Sequence, residues 1–159
     1  MGSFSVQYRF SQQFRFPAKD AYIWCTDYQE EDVALMGEKG KRKVIRINEE
    51  TLILTDAVLE GGRRVTKKRL VRLFPDRLFW TNTRLSSEGK YSQFLYQIVQ
   101  EEGGRSRLDF TGSHVYYNKE RPTPEEVASM AQELARQDAS AWVLLSKAME
   151  KDLGVPNKR

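Results

Sequence analysis

The chain has one cysteine, Cys25, and one histidine, His114, among its 159 residues. A lone cysteine excludes an intrachain disulfide and fits a reducing compartment, so a cytoplasmic location is the expectation. One Cys and one His are also too few for a zinc site of those ligands within one chain. Neither a metal nor a cofactor is expected. No uninterrupted apolar run approaches the roughly 18 residues of a membrane-spanning helix. No basic segment followed by an apolar run opens the chain, so no signal peptide is expected. Phosphate-loop glycines are missing too: Gly61-Gly62 and Gly103-Gly104 lie between strand-like segments and read as hairpin turns. Cys25 sits between Trp24 and Tyr28 and reads as a buried, inert thiol, which leaves no nucleophile motif.

What the chain does have is enough apolar residue, 40 %, for the core of one domain spanning 1–159, and 30 % charged residues for a soluble surface. The net charge is +4, concentrated in Lys39–Arg46 and Arg63–Arg72. These blocks read as solvated strand faces, where charge discourages edge pairing. No helix carries a basic recognition face and the blocks lack interleaved aromatics, so nucleic acid is not an expected partner.

Phe4, Val6, Tyr8 and Phe10 alternate with Ser5, Gln7, Arg9 and Ser11, the pattern of a half-buried strand. Pro17 then suits a first helical turn, and Ala21, Tyr22, Trp24, Cys25 and Tyr28 follow at helical spacing. Asp27 is expected to begin a second short helix that Gly37 and Gly40 end. From Lys41 to Tyr117 the signals are six strands and turns: Lys43–Asn48, Thr51–Leu59, Arg64–Phe74, Arg77–Leu85, Tyr91–Gln100 and Arg107–Tyr117. Paired with the first strand, they predict a seven-stranded antiparallel sheet.

The last element is a long helix. Thr123 can cap it, Pro124 suits its first position, and Glu125-Glu126 follow. Val127, Met130, Leu134, Ala141, Trp142, Leu145, Ala148, Met149 and Leu153 form one apolar stripe, and Gly154 and Pro156 stop it. About 30 residues at 1.5 Å each span roughly 45 Å, enough to cross a sheet. A helix only about 10–12 Å wide cannot cover the whole face, so a cavity should remain beneath it.

This order of elements resembles the helix-grip fold of the START/Bet v 1-like superfamily, also called SRPBCC. The local matches are Phe16-Pro17-Ala18-Lys19-Asp20-Ala21-Tyr22-Ile23-Trp24 with Asp27, the turn Pro75–Leu78, and Gly104 followed by Arg107-Leu108. The resemblance covers residues 4–153. It implies an α+β fold in which a curved seven-stranded sheet grips the long helix around a deep cavity. It implies no shared catalytic signature: members bind lipids, sterols or other apolar molecules, cyclise polyketides, or regulate other proteins.

Candidate cavity residues follow from alternation. On the last strand Leu108, Phe110, Gly112, His114 and Tyr116 share the face expected to point inward. His114 reads either as a core histidine bonded to a neighbour or as a polar contact to a ligand. Gly112 leaves room or lets the long helix approach. Asp138 falls in the middle of the apolar stripe, between Leu134 and Trp142, where a buried carboxylate needs a partner or a raised pKa. Asp138 and His114 are expected to approach each other across the cavity. Trp80, Asn82 and Arg84 alternate on another strand, and Lys67 and Arg69 share a face with Val71 and Leu73, so basic groups can also reach inside. Three functions stay open: binding, and in some cases transport, of an apolar or amphipathic small molecule such as a lipid; a polyketide cyclase/dehydratase-type enzyme with His114 and Asp138 moving protons; and a protein-interaction module using the basic surface.

Overall fold

The computed structural model describes residues 2–35 and 39–154. Strand β1 (Ser3–Phe14) leads through Pro17 into α1 (Ala18–Thr26) and the single turn α2 (Asp32–Leu35). Six strands follow, β2 (Gly40–Asn48), β3 (Thr51–Glu60), β4 (Arg63–Phe74), β5 (Phe79–Arg84), β6 (Gln93–Gln100) and β7 (Ser106–Tyr117), and then α3 (Pro124–Leu153). The strands form one antiparallel sheet in the order β1-β7-β6-β5-β4-β3-β2, so the first and last strands are neighbours. Gly37 and Pro156, expected to stop helices, lie outside the described residues. Among the described residues no helix is long and apolar enough to cross a membrane.

Several boundaries differ from the sequence expectation for local reasons. The second helix starts at Asp32, not Asp27, because the Asp32 carboxylate accepts a hydrogen bond from the backbone N–H of Gln29 at 3.0 Å and organises the turn before it. β5 starts at Phe79, because Pro75–Arg77 coil into a short 3₁₀ turn and Leu78 adopts a left-handed conformation. β6 starts at Gln93, because Tyr91 has φ 70°, which no strand accommodates.

The alternation of each strand sets one concave, apolar face. Val6, Tyr8 and Phe14 of β1, Leu52 and Leu54 of β3, Val71 and Leu73 of β4, Trp80 of β5, Tyr96 and Ile98 of β6 and Leu108 and Phe110 of β7 are all buried there. Their rings pack in contact: Trp80 stacks on Tyr96 at 4.6 Å and 2°, and Tyr96 meets Phe110 edge-on at 5.2 Å. Such pairs are worth about 0.5–1.5 kcal/mol each beyond the buried area.

Helix α3 begins as its sequence dictates. The Thr123 hydroxyl accepts from the Glu126 N–H at 3.2 Å, and the Glu126 carboxylate accepts from the Thr123 N–H at 3.3 Å. This reciprocal cap satisfies two N–H groups that helix geometry leaves over. Of the residues in its apolar stripe only Met149 is fully buried. Trp142 and Leu145 remain half-buried, because this part of the stripe fronts an open space rather than a packed layer.

Candidate functional site: a cavity with a ring wall and a charged wall

A cavity of about 550 Å³ lies between the concave face, α3 and the segment that runs from α1 to α2. Phe94, Tyr96 and Phe110 of the sheet and Trp142 of α3 form its aromatic wall. Trp24 on α1 donates its indole N–H to Asp152 near the end of α3 at 2.8 Å, and both residues line the same space. The bond ties the short helix to the long one.

The opposite wall is charged. Inward positions on β2, β3 and β4 carry Arg42, Asp56 and Arg69 in place of the apolar residues that precede or follow them. Asp56 is 2 % exposed. Arg42 Nε and Nη2 donate to its two oxygens at 2.7 and 3.0 Å, and Arg69 Nη2 adds a third bond at 2.7 Å. Burial pushes the Asp56 carboxyl up, but the Arg42 hydrogen bonds and the Arg69 and Arg42 charges outweigh it and hold it below the usual carboxylate range. Asp32 lies 3.8 Å from Arg42 Nη1. The Arg42 guanidinium also sits 5.9 Å from the centre of the Tyr28 ring, whose phenol burial pushes up to about 12. Lys67 reaches the same wall from β4 and is ion-paired with Glu60.

Between the two walls sit Asp138, Asn82 and Arg84. The Tyr8 hydroxyl donates to Asp138 Oδ2 at 2.5 Å. Burial raises the Asp138 carboxyl above its ordinary value even though the Tyr8 bond and the Arg84 charge pull the other way. Burial and the Asp138 carboxylate together push the Tyr8 phenol far up. Burial thus disfavours ionisation of both partners of this bond. Tyr8 reaches Asp138 because its cross-strand neighbour is Gly112: a Cβ at 112 would stand 2.6 Å from two atoms of the Tyr8 ring. Asn82 is 2 % exposed, and its Oδ1 has no hydrogen-bond partner among the described residues.

Of the residues expected to line the cavity, Asn82, Arg84, Phe110, Asp138 and Trp142 do so. Four others do not. Trp80 lies behind the wall, fully buried under the Tyr96 ring. Gly112 lies under Tyr8, which takes the space its missing side chain leaves. Leu134 packs partly buried against the core. His114 and Tyr116 line a separate recess of about 500 Å³ beyond Arg84, together with Glu60, Val65, Ser87 and Glu88. The expected approach of His114 to Asp138 is thereby corrected. His114 lies one step of the strand alternation beyond Gly112, packs at a tilt against Tyr116 with ring centres 4.6 Å apart, and makes no hydrogen bond to Asp138; Tyr8 takes that place. Burial, then the Arg84 charge, lower the His114 pKa and favour its neutral form.

Sequence reasoning missed Arg42, Asp56 and Tyr8. Asp56 had a readable signal: it interrupts the inward series Leu52, Leu54, Asp56, Val58 as Asp138 interrupts the helix stripe. Tyr8 was placed on the right face but not at the site, because its partner is 130 positions away.

No family model matches the chain, and no curated protein sequence matches it. Solved structures do match its fold. The Zhui aromatase/cyclase from Streptomyces sp. R1128 superposes with a TM-score of 0.75 at 13 % identity, over 94 % of this chain and 96 % of that one. Norcoclaurine synthase from Thalictrum flavum, in complex with dopamine and hydroxybenzaldehyde, gives a TM-score of 0.71 at 10 % identity, over 99 % and 91 % of the two chains. A START superfamily protein from Mycobacterium smegmatis gives 0.67 at 14 % identity, over 92 % and 98 %. With its seven-stranded antiparallel sheet, its short helices after the first strand and its long closing helix, the chain has the helix-grip fold of the START/Bet v 1-like (SRPBCC) proteins.

Proposed function

We propose that the protein binds a small amphipathic molecule in the cavity between the sheet and α3. One observation carries the reading: a 550 Å³ space has rings on one wall and hydrogen-bonding charges on the other. Ligand pockets start at about 300 Å³, and they combine apolar walls with a few placed polar groups. The ring wall supplies buried area; Asn82, Arg84 and Asp138 orient a polar end. Charged side chains across β2–β4 leave no long apolar channel, which favours a compact guest over a long-chain lipid. The Thalictrum flavum enzyme, which shares the fold, holds two small aromatic molecules, dopamine and hydroxybenzaldehyde. The size of the space also counts against a mere interaction module with a filled interior.

Native mass spectrometry of gently purified protein tests this, followed by tryptophan fluorescence titration with small aromatic amphiphiles, since Trp24 and Trp142 line the space. A co-purified small molecule or a saturable fluorescence change is expected. Empty protein that also fails to respond to any such compound would overturn the reading.

The Tyr8–Asp138 pair supports a second reading, a cyclase- or dehydratase-type enzyme in which Asp138 exchanges a proton with a bound carbonyl compound. Its mark is deuterium uptake from D₂O at the carbon beside the ligand's carbonyl, lost in Asp138→Asn. Binding with no uptake by the wild-type protein would leave a carrier or sensor.

A further inference from the structure

We propose that the guest carries a carboxylate, held by the cross-strand pair Arg69 and Arg84 with Asn82 beside them. This rests on the cavity being a ligand site. The β4–β5 register sets Arg69 directly opposite Arg84, and Val71 opposite Asn82, on the concave face. Like charges directly opposite each other on a sheet are destabilising. The sheet keeps this pair although it has only partly neutralised it. Asp56 takes Arg69 Nη2 and two donors of Arg42. Asp32 stands near Arg42 alone. Arg84 makes no ion pair among the described residues, and the two carboxylates whose charge reaches it are engaged elsewhere: Asp138 is bonded to Tyr8 and Glu60 is ion-paired with Lys67.

The unsatisfied atoms point the same way. Arg69 Nε and Arg84 Nε are both buried without an acceptor among the described residues. A buried N–H without an acceptor costs free energy until one arrives, and an anionic acceptor binds such donors about twice as strongly as a neutral one. The unpartnered Oδ1 of Asn82 is an acceptor, so it suits a donor group elsewhere on the guest rather than the carboxylate itself. Arg84 is fixed in place rather than mobile. Its Nη1 donates to the Glu88 carbonyl at 3.0 Å, and its guanidinium lies 5.7 Å from the centre of the Phe94 ring. Gly89 closes over it: a Cβ there would stand 2.7 Å from Nη1. A positioned guanidinium with a vacant Nε, beside a ring wall, matches a carboxylate on a planar apolar body.

The probes are 2-naphthoate and 2-naphthamide, alike in shape and different in charge, titrated by tryptophan fluorescence at fixed ionic strength. The wild-type protein is expected to bind naphthoate at least about tenfold more tightly, which corresponds to about 1.4 kcal/mol. In Arg84→Gln naphthoate is expected to fall to the affinity of the amide. Arg84→Lys, which keeps the charge and loses the fork, is expected to recover only part of the difference. Melting curves of both variants check that they fold. Equal affinities in the wild type, or a preference that survives Arg84→Gln, would overturn the carboxylate assignment while leaving cavity binding intact. If neither probe binds, both the assignment and the cavity reading beneath it fail.

Discussion

The half of the concave face built from β1, β5, β6 and β7 buries rings; the half built from β2, β3 and β4 also buries charges. In the first half the rings front the cavity but already pack against one another. Tyr96, Phe110, Phe94 and Trp80 pack ring on ring and need no guest to complete them. In the second half Asp56 is surrounded by two arginines and Arg69 Nε remains over; across the seam on β5, Arg84 Nε remains over beside it. The difference separates two contributions to binding. Rings give area and little discrimination, whereas leftover donors discriminate by charge and direction.

The strongest blow to this contrast is Asp56→Ala. Removing the carboxylate leaves Arg42 and Arg69 buried without their shared counter-charge, which is expected to cost about 3–5 kcal/mol. Urea denaturation measures it. A cost below about 1 kcal/mol would mean that the charged wall is open to water. The same residue sets an acid limit. Its folded pKa is depressed, so its contribution is complete above the unfolded value of about 3.9 and is lost as pH falls through the folded value.

A smaller effect is expected from Gly112→Ala, on the ring side. The new methyl meets the Tyr8 ring, so the ring or the strand must shift, at about 1–3 kcal/mol. If the ring moves, the Tyr8–Asp138 bond is lost, and cavity binding should weaken even where melting is only modestly lowered. An unchanged ligand affinity would show that the bond contributes nothing to the site.

The smallest effect separates Asp138 from Asp56 by sign. The Asp138 pKa is raised by burial, so its stabilisation is present below the unfolded value and is lost as pH rises through the folded value. Asp138→Asn accepts the Tyr8 hydrogen bond and does not ionise. The melting temperature of the variant minus that of the wild type should therefore climb as pH rises above the unfolded value of about 3.9. A flat difference would mean that Asp138 titrates like a solvated carboxylate.

The frame of this fold was legible where local rules act alone. α3 announces itself through Thr123, Pro124 and a stripe of period 3.6, and the strand faces through simple alternation. Asp138 stood out because it breaks its stripe. Its partner did not, since nothing local to β1 distinguishes Tyr8 from Val6 or Phe10, and the choice between Tyr8 and His114 depends on where α3 crosses the sheet. The charged wall was half visible. Lys67 and Arg69 were seen on an apolar face, but assembling them with Arg42 and Asp56 requires the β2–β3–β4 register, which turn positions alone do not fix. Short loops with positive φ, at Leu78 and Tyr91, displaced both strand starts by two residues because backbone conformation at single positions leaves little trace in residue type.

The closure of the sheet has a consequence for timing. β1 pairs with β7, Ser3 facing Tyr117, and the Tyr8–Asp138 bond spans 130 positions. During synthesis the earliest strand must therefore wait for nearly the latest before either has its neighbour. A small molecule that touches both Tyr8 and Asp138 can engage only a finished protein, never a growing one, and its occupancy would draw the population toward completed chains by mass action.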